Sequence, residues 1–171
     1  MPAVALPEWH SLFGLLGSAA ATLIGAMFVV ASLGRGLLTP ERSAATRVFL
    51  TATVAHLSAV LFSSTVMLVP ALDIESLGMA MGLGGLAGLV YSGGILLRIG
   101  RHEVDRADKV WYAVLPFAGY GVMVGAAAVT LSHPSADLRL LALGLGLLLA
   151  VAIRNSWDMI VFLVARPRTE G

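Results

Sequence analysis

The chain has 171 residues, of which 58% are hydrophobic and only 12% are charged, with a formal net charge of +1. Soluble domains usually carry about 25% charged residues, so this composition excludes an ordinary soluble domain and indicates that lipid is the solvent. The lack of cysteine excludes disulfides and thiol catalysis, and the near-neutral charge gives no support for nucleic-acid binding.

Five long apolar segments predict an all-α, polytopic membrane protein that forms a single bundle. The predicted spans cover residues 12–33, 48–69, 77–97, 110–131 and 140–165. The first is too long for the core of a signal peptide, so we interpret it as a retained span. Gly17, Ala21 and Gly25 recur along it at four-residue intervals, which predicts a face that packs closely against another helix.

The second predicted span carries a polar stripe. Thr53, His56 and Ser63 are spaced by three and seven residues, so they lie on one side of a helix, with Ser64 beside them. We expect this stripe to avoid lipid. Pro40 suits a first helical turn, which predicts that the helix begins ahead of the membrane.

The third predicted span has the most glycine and is expected to be the most central helix. Its seven glycines are Gly78, Gly82, Gly84, Gly85, Gly88, Gly93 and Gly94. Gly84 and Gly88 are the predicted packing positions on this span. Either Asp73 or Ser76 is available to cap its first turn.

The fourth predicted span follows a highly charged segment, residues 98–109, which we expect to be a solvated loop. Pro116 is expected to bend the first half of this helix. Gly121 and Gly125 form another small-residue pair and are predicted to pack against a neighbour.

The fifth predicted span contains an uninterrupted polar stretch, Arg154-Asn155-Ser156-Trp157-Asp158. The apolar residues before it, 140–153, cover only about 21 Å of a hydrocarbon core that is about 30 Å thick. A helix that crosses the membrane must therefore continue through the polar stretch towards residue 165. The sequence thus places charged groups in the inner part of the membrane.

The positively charged residues predict the orientation of the chain. Nine of the 11 Lys and Arg residues lie in the first loop, the third loop and the C-terminal tail: Arg35, Arg42, Arg47, Arg98, Arg101, Arg106, Lys109, Arg166 and Arg168. The other side has Arg139 alone. The positive-inside rule then places the N-terminus outside and the C-terminus inside. The strong excess of Arg over Lys is typical of a GC-rich bacterium, so we expect the bacterial inner membrane.

The first span has a recognisable pattern of residues: 8–13 (EWHSLF), then Gly17, 21–25 (ATLIG) and 28–33 (FVVASL). In this pattern it resembles the opening of a family of small bacterial integral membrane proteins of unassigned function. The Arg-Asn-x-Trp-Asp pattern of the last span is also similar to such proteins. This resemblance supports the multi-pass topology and adds no information about an activity.

A set of polar residues in the spans forms the candidate pathway or polar network: His56, Ser63, Tyr91, Arg154, Asn155 and Asp158. His56, Tyr91 and Asp158 are predicted at similar depth, which allows one shared cluster. His56 is interpreted either as a neutral, hydrogen-bonded group or as a proton acceptor. Arg154 and Asp158 are interpreted in one of two ways. They are either a functional pair within the membrane or an interfacial anchor, in which the Arg154 side chain snorkels to the membrane surface and Asp158 neutralises it.

No cofactor is expected. A haem would need a second buried axial ligand for His56, and the other histidines fall in interfaces or loops. A retinal Schiff base would need a lysine within a span, and Lys109 lies at an interface. Zinc, nucleophile-elbow and P-loop signatures do not occur, so we expect no enzyme activity.

Two function classes follow from these patterns. The first is a homo-oligomeric ion channel or proton-coupled conductor whose pathway uses His56, Ser63, Arg154 and Asp158. The second is an accessory or regulatory subunit of a larger membrane complex, in which those groups are structural. Both imply contact with membrane lipids and with either copies of the chain or another membrane protein.

Overall fold

The computed structural model describes residues 6–34, 40–99, 105–133 and 138–164. Every regular element in these ranges is helical. The helices are α1 (Leu6–Gly34), α2 (Pro40–Met67), α3 (Ile74–Ile99), α4 (Arg106–Ser132) and α5 (Arg139–Val164). All five are long and apolar enough to span a membrane, which confirms the predicted number of apolar helices and their class.

The helix ends agree with most of the signals in the sequence. Helix α2 begins at Pro40 as expected, and α5 continues without a break through the polar stretch of residues 154–158. The charged segment, predicted to be a loop over residues 98–109, is helical at both ends, because α3 extends to Ile99 and α4 begins at Arg106. The rest of that segment, residues 100–104, lies outside the described part of the chain.

Asp73 is the residue that caps α3. Its carboxylate accepts hydrogen bonds from the Ser76 backbone N–H at 2.8 Å and from the Ser76 hydroxyl at 2.7 Å. Because these bonds stabilise the ionised form, the pKa of Asp73 lies below its ordinary value. Ser76 therefore contributes to the cap as the donor.

Neighbouring helices pack antiparallel, in the order α1, α2, α5, α4, α3. Helix α2 also touches α3, and α1 touches α5. The side chains at the centre of the bundle are almost fully buried: Phe13, Leu57, Tyr120, Met123, Leu145 and Leu148. The predicted polar stripe of α2 also faces inward, since Thr53, His56, Ser63 and Ser64 are all buried.

Helix α3 rests on α4 through a seam of glycines. A Cβ atom at five of them would touch a residue of α4, in the pairs Gly78 with Leu131, Gly82 with Ala127, Gly85 with Val124, Gly88 with Tyr120 and Gly93 with Phe117. At each step forward along α3 the partner residue lies three or four residues further back along α4, as in an antiparallel pair. The glycines therefore allow two helix backbones to approach closely.

The prediction that α3 is the most central helix is wrong. Only 17% of its most apolar stretch is buried, against 44% for α2 and α5. The reason is that its contacting glycines occupy one face and meet essentially one neighbour, α4. The opposite face presents Leu83, Val90 and Leu97, which are at least 70% exposed.

The predicted packing positions divide into two groups. Gly17 meets α2, because a Cβ there would lie 3.1 Å from Ser64 Cβ, and Gly88 meets Tyr120. Among the described residues, nothing lies within 4 Å of a Cβ built at the remaining glycines of the set, Gly25, Gly84, Gly121 and Gly125. Ala21 is exposed. These five positions face away from the other helices of the same chain.

Candidate functional site

His56 lies where three helices meet. Its side chain is fully buried, and its Nδ1 atom is 2.9 Å from the hydroxyl oxygen of Tyr120 on α4. The ring of Tyr91 on α3 approaches His56 edge-on, with ring centroids 6.3 Å apart and an interplanar angle of 70°. One imidazole thus joins α2 to both α3 and α4.

Gly88 determines where the Tyr120 ring can lie. A Cβ at position 88 would overlap the ring, so only glycine leaves room for it. One turn further along α3, the buried Ser92 hydroxyl donates a hydrogen bond to the Gly88 carbonyl at 2.7 Å. Gly88 on α3 therefore leaves space for the Tyr120 ring from α4, and the position of this ring places its hydroxyl within hydrogen-bond distance of His56.

The second nitrogen of His56, Nε2, is buried and has no hydrogen-bond partner among the described residues. Two arrangements of the proton fit the bond to Tyr120. In one the hydroxyl donates to Nδ1 and Nε2 carries the proton; in the other Nδ1–H donates to the hydroxyl oxygen and Nε2 is an unpaired acceptor. In both, Nδ1 is bonded to Tyr120 and Nε2 stays without a partner among the described residues.

The charged pair lies elsewhere. Arg154 and Asp158 form an ion pair one helical turn apart on α5, and their side chains are 42% and 31% exposed. The guanidinium carbon of Arg154 is 5.9 Å from the ring centroid of Trp111 on α4, within the range of a cation–π contact. Trp157, between them in sequence, is 62% exposed. Arg154, Trp157 and Asp158 form an outward surface of α5, which we call the α5 outer face.

The other two residues of the polar stretch point inward. Asn155 is 1% exposed and Ser156 is 5% exposed. Successive residues of a helix are rotated by about 100°, so a run of five must contribute to both sides. The stretch is therefore two different sites: an exposed ion pair with a tryptophan, and a buried amide with a hydroxyl.

The structure brings together only part of the predicted network. His56 and Tyr91 are in contact, and Ser63 is buried two turns further along the same face of α2. Asp158 is not part of this group. Among the described residues, no hydrogen bond or ion pair joins the Arg154–Asp158 pair to His56. Tyr120, the direct partner of His56, was missed by the sequence analysis, although a tyrosine in the middle of an apolar span is a signal for a buried hydroxyl contact.

Within the described ranges, no three His, Asp or Glu side chains come together as a set of metal ligands. No protein family, curated protein or solved structure matches the chain. The resemblance of the first span to small bacterial membrane proteins therefore stays a prediction.

Proposed function

We propose that the protein is a non-catalytic accessory subunit of a membrane assembly and that it binds its partner through the α5 outer face. The observation that carries this proposal is the half-exposed Arg154–Asp158 pair on a helix that is apolar enough to span a membrane. A second copy of the chain is the partner that can be tested directly.

The energetic argument concerns what covers these charges. An ionised side chain within the membrane costs about 2.5–3.5 kcal/mol on insertion scales, so such groups normally face other protein or water. Pairing with Asp158 and the contact with Trp111 reduce that cost for Arg154 without enclosing it. A partner helix packed over this surface would remove the remaining contact with hydrocarbon.

The burial of His56 supports the same proposal. A pathway along the symmetry axis of an oligomer would need its polar residues on the outside of each chain, whereas His56 and Ser63 are inside it. Their location suits a role in holding α2, α3 and α4 together. Under this proposal the polar interior is structural, and the association surface is on α5.

A conducting oligomer is the second candidate. It is favoured by the presence of both a positive and a negative side chain on the α5 outer face, because a ring of such pairs around an axis would line a polar passage. In this version Arg154 and Asp158 act in conduction, and His56 and Ser63 do not lie on the path.

The double variant Arg154→Gln/Asp158→Asn is expected to fold but to self-associate at least about tenfold more weakly, a change of about 1.4 kcal/mol. Asp158→Asn alone should be less stable than the double variant, since it leaves Arg154 without its partner. Association would be measured by energy transfer between labelled chains diluted in lipid bilayers. Leu83→Ala, at a highly exposed position on α3, is the control.

Ion flux through the wild type and the double variant, measured in liposomes, distinguishes the accessory subunit from the conducting oligomer. The accessory proposal expects no flux of protons, alkali cations or halides through the wild type. Wild-type flux that disappears in the double variant would establish the conducting alternative in its place. Association of the double variant equal to that of the wild type would show that the α5 outer face is not the contact surface.

We also propose the orientation with the N-terminus outside and the C-terminus inside, in a bacterial inner membrane. If all five apolar helices cross the membrane, the two termini lie on opposite sides, and the loop charges favour this direction. Because the chain has no cysteine, single cysteines can be introduced at exposed positions. Glu75→Cys and His133→Cys should react with a membrane-impermeant thiol reagent in intact cells, whereas Asp105→Cys should be protected until the cells are lysed. The reverse pattern would invert the topology.

A further inference from the structure

We infer that α4 and α5 enclose a binding site for water, formed by Asn155 and the π-helical segment of α4. This site lies on the inward side of the polar stretch, and Asn155 belongs neither to the α5 outer face nor to the His56–Tyr120 bond.

The first observation is a pair of buried side chains without protein partners. Neither the nitrogen nor the oxygen of the Asn155 amide has a hydrogen-bond partner among the described residues, and the same holds for the Ser156 hydroxyl. Both side chains are at least 95% buried. A buried polar group left unpaired is destabilising, and buried groups of this kind are commonly satisfied by ordered water.

The second observation is the segment of α4 that lies opposite. Gly119 of α4 meets Leu148 of α5, and the helices are antiparallel, as the pair Gly144 and Met123 also shows. Seven residues make two turns, so counting two turns in each helix from Gly119 and Leu148 brings Tyr112 opposite Asn155. The contact between Arg154 and Trp111 supports this alignment to within two residues.

That segment of α4, Val110–Val114, is π-helical. The Leu115 N–H bonds to the Val110 carbonyl, five residues earlier, and Pro116 has no N–H to donate. Within the described helix Arg106–Ser132, the Trp111 carbonyl therefore has no backbone donor at either the fourth or the fifth following residue. Such π-helical turns occur often at functional sites, and irregular backbone at membrane depth is tolerated where it is buried in protein or contacts water.

The chemistry of these groups favours water over an ion. The Asn155 amide offers two N–H donors and one acceptor, and the Trp111 carbonyl, which lacks its usual helical donors, can accept. A water molecule can satisfy donors and acceptors together, whereas a cation would leave the amide donors unpaired. The charged neighbours already have partners, since Arg154 pairs with Asp158 and contacts Trp111 at the edge of the same segment.

The sequence makes this site unusually easy to test. Asn155 is the only asparagine in the chain, and there is no glutamine, so its side chain gives the only carboxamide signal. The wild-type protein would be labelled with ¹⁵N-asparagine, placed in lipid bilayers and examined by solid-state NMR. Magnetisation transfer from water to the side-chain NH₂, and its loss after transfer to D₂O, would be measured.

The backbone amide of Asn155 lies within α5 and serves as the control in the same sample. We expect the side-chain protons to exchange at least about 1,000-fold faster than the backbone proton, because water reaches the former without opening of the helix. Transfer from water within milliseconds would support the site. Side-chain protons that exchange as slowly as the backbone proton, with no transfer from water, would overturn it.

Discussion

Replacing Gly88 with alanine is expected to destabilise the bundle by about 3 kcal/mol, because the new methyl group would overlap the ring of Tyr120. The ring cannot easily move away from the new methyl group, since it is almost fully buried and its hydroxyl is bonded to His56. The two helices must separate or the ring must leave its site. Thermal unfolding of the purified protein in mild detergent would measure the loss.

Gly84→Ala is the matched control for this prediction. It lies one turn earlier on the same helix, and its Cβ would meet nothing within 4 Å among the described residues. Alanine is a better helix former than glycine by about 1 kcal/mol, so this variant should be as stable as the wild type or more so. Equal effects of the two substitutions would show that the glycine seam does not pack on α4 as described.

Replacing Tyr120 with alanine is expected to cost about 3 kcal/mol as well, for the opposite reason. It removes one of the largest fully buried side chains and leaves a cavity between α3 and α4. Tyr120→Phe keeps the ring and removes the hydroxyl, so it should cost only about 1–2 kcal/mol, the effect of leaving His56 without its bond. Comparison of the two variants by thermal unfolding separates packing from hydrogen bonding.

The combination of the two substitutions provides a stricter test. In a Tyr120→Ala background the ring that Gly88→Ala would strike is absent, so the second substitution should have almost no further cost. A double variant whose loss of stability equals the sum of the single losses would show that residues 88 and 120 do not touch. Because the two residues are in contact, we expect the double variant to lose about as much stability as Tyr120→Ala alone.

The sequence was sufficient for the number and class of helices, and for the inward direction of the polar stripe on α2. These features follow from the length of apolar segments and from helical periodicity, which are local properties of the chain. The same reasoning failed for the position of α3. A glycine-rich face indicates that a helix packs closely on something, but the number of helices that surround it depends on the rest of the bundle.

The candidate site was predictable only in part, because contacts between helices depend on the arrangement of the whole bundle. His56 was identified because a histidine in an apolar span is rare, whereas its partner Tyr120 is 64 residues away in the chain and no spacing rule connects them. Depth alone suggested that Asp158 lies near His56. Depth cannot determine rotation about the helix axis, and Asp158 is on the α5 outer face.

The glycine seam also has a consequence for biogenesis. It joins α3 to α4, which are consecutive in the chain, so this helical hairpin can assemble before the ribosome has completed α5. Helices α2 and α4 instead pack against α5 from either side, and this contact must wait for the last span. Truncation before residue 139 should therefore release a chain with a preformed α3–α4 hairpin and an open groove where α5 belongs. A separately synthesised α5 peptide could then be tested for its ability to complete the fold.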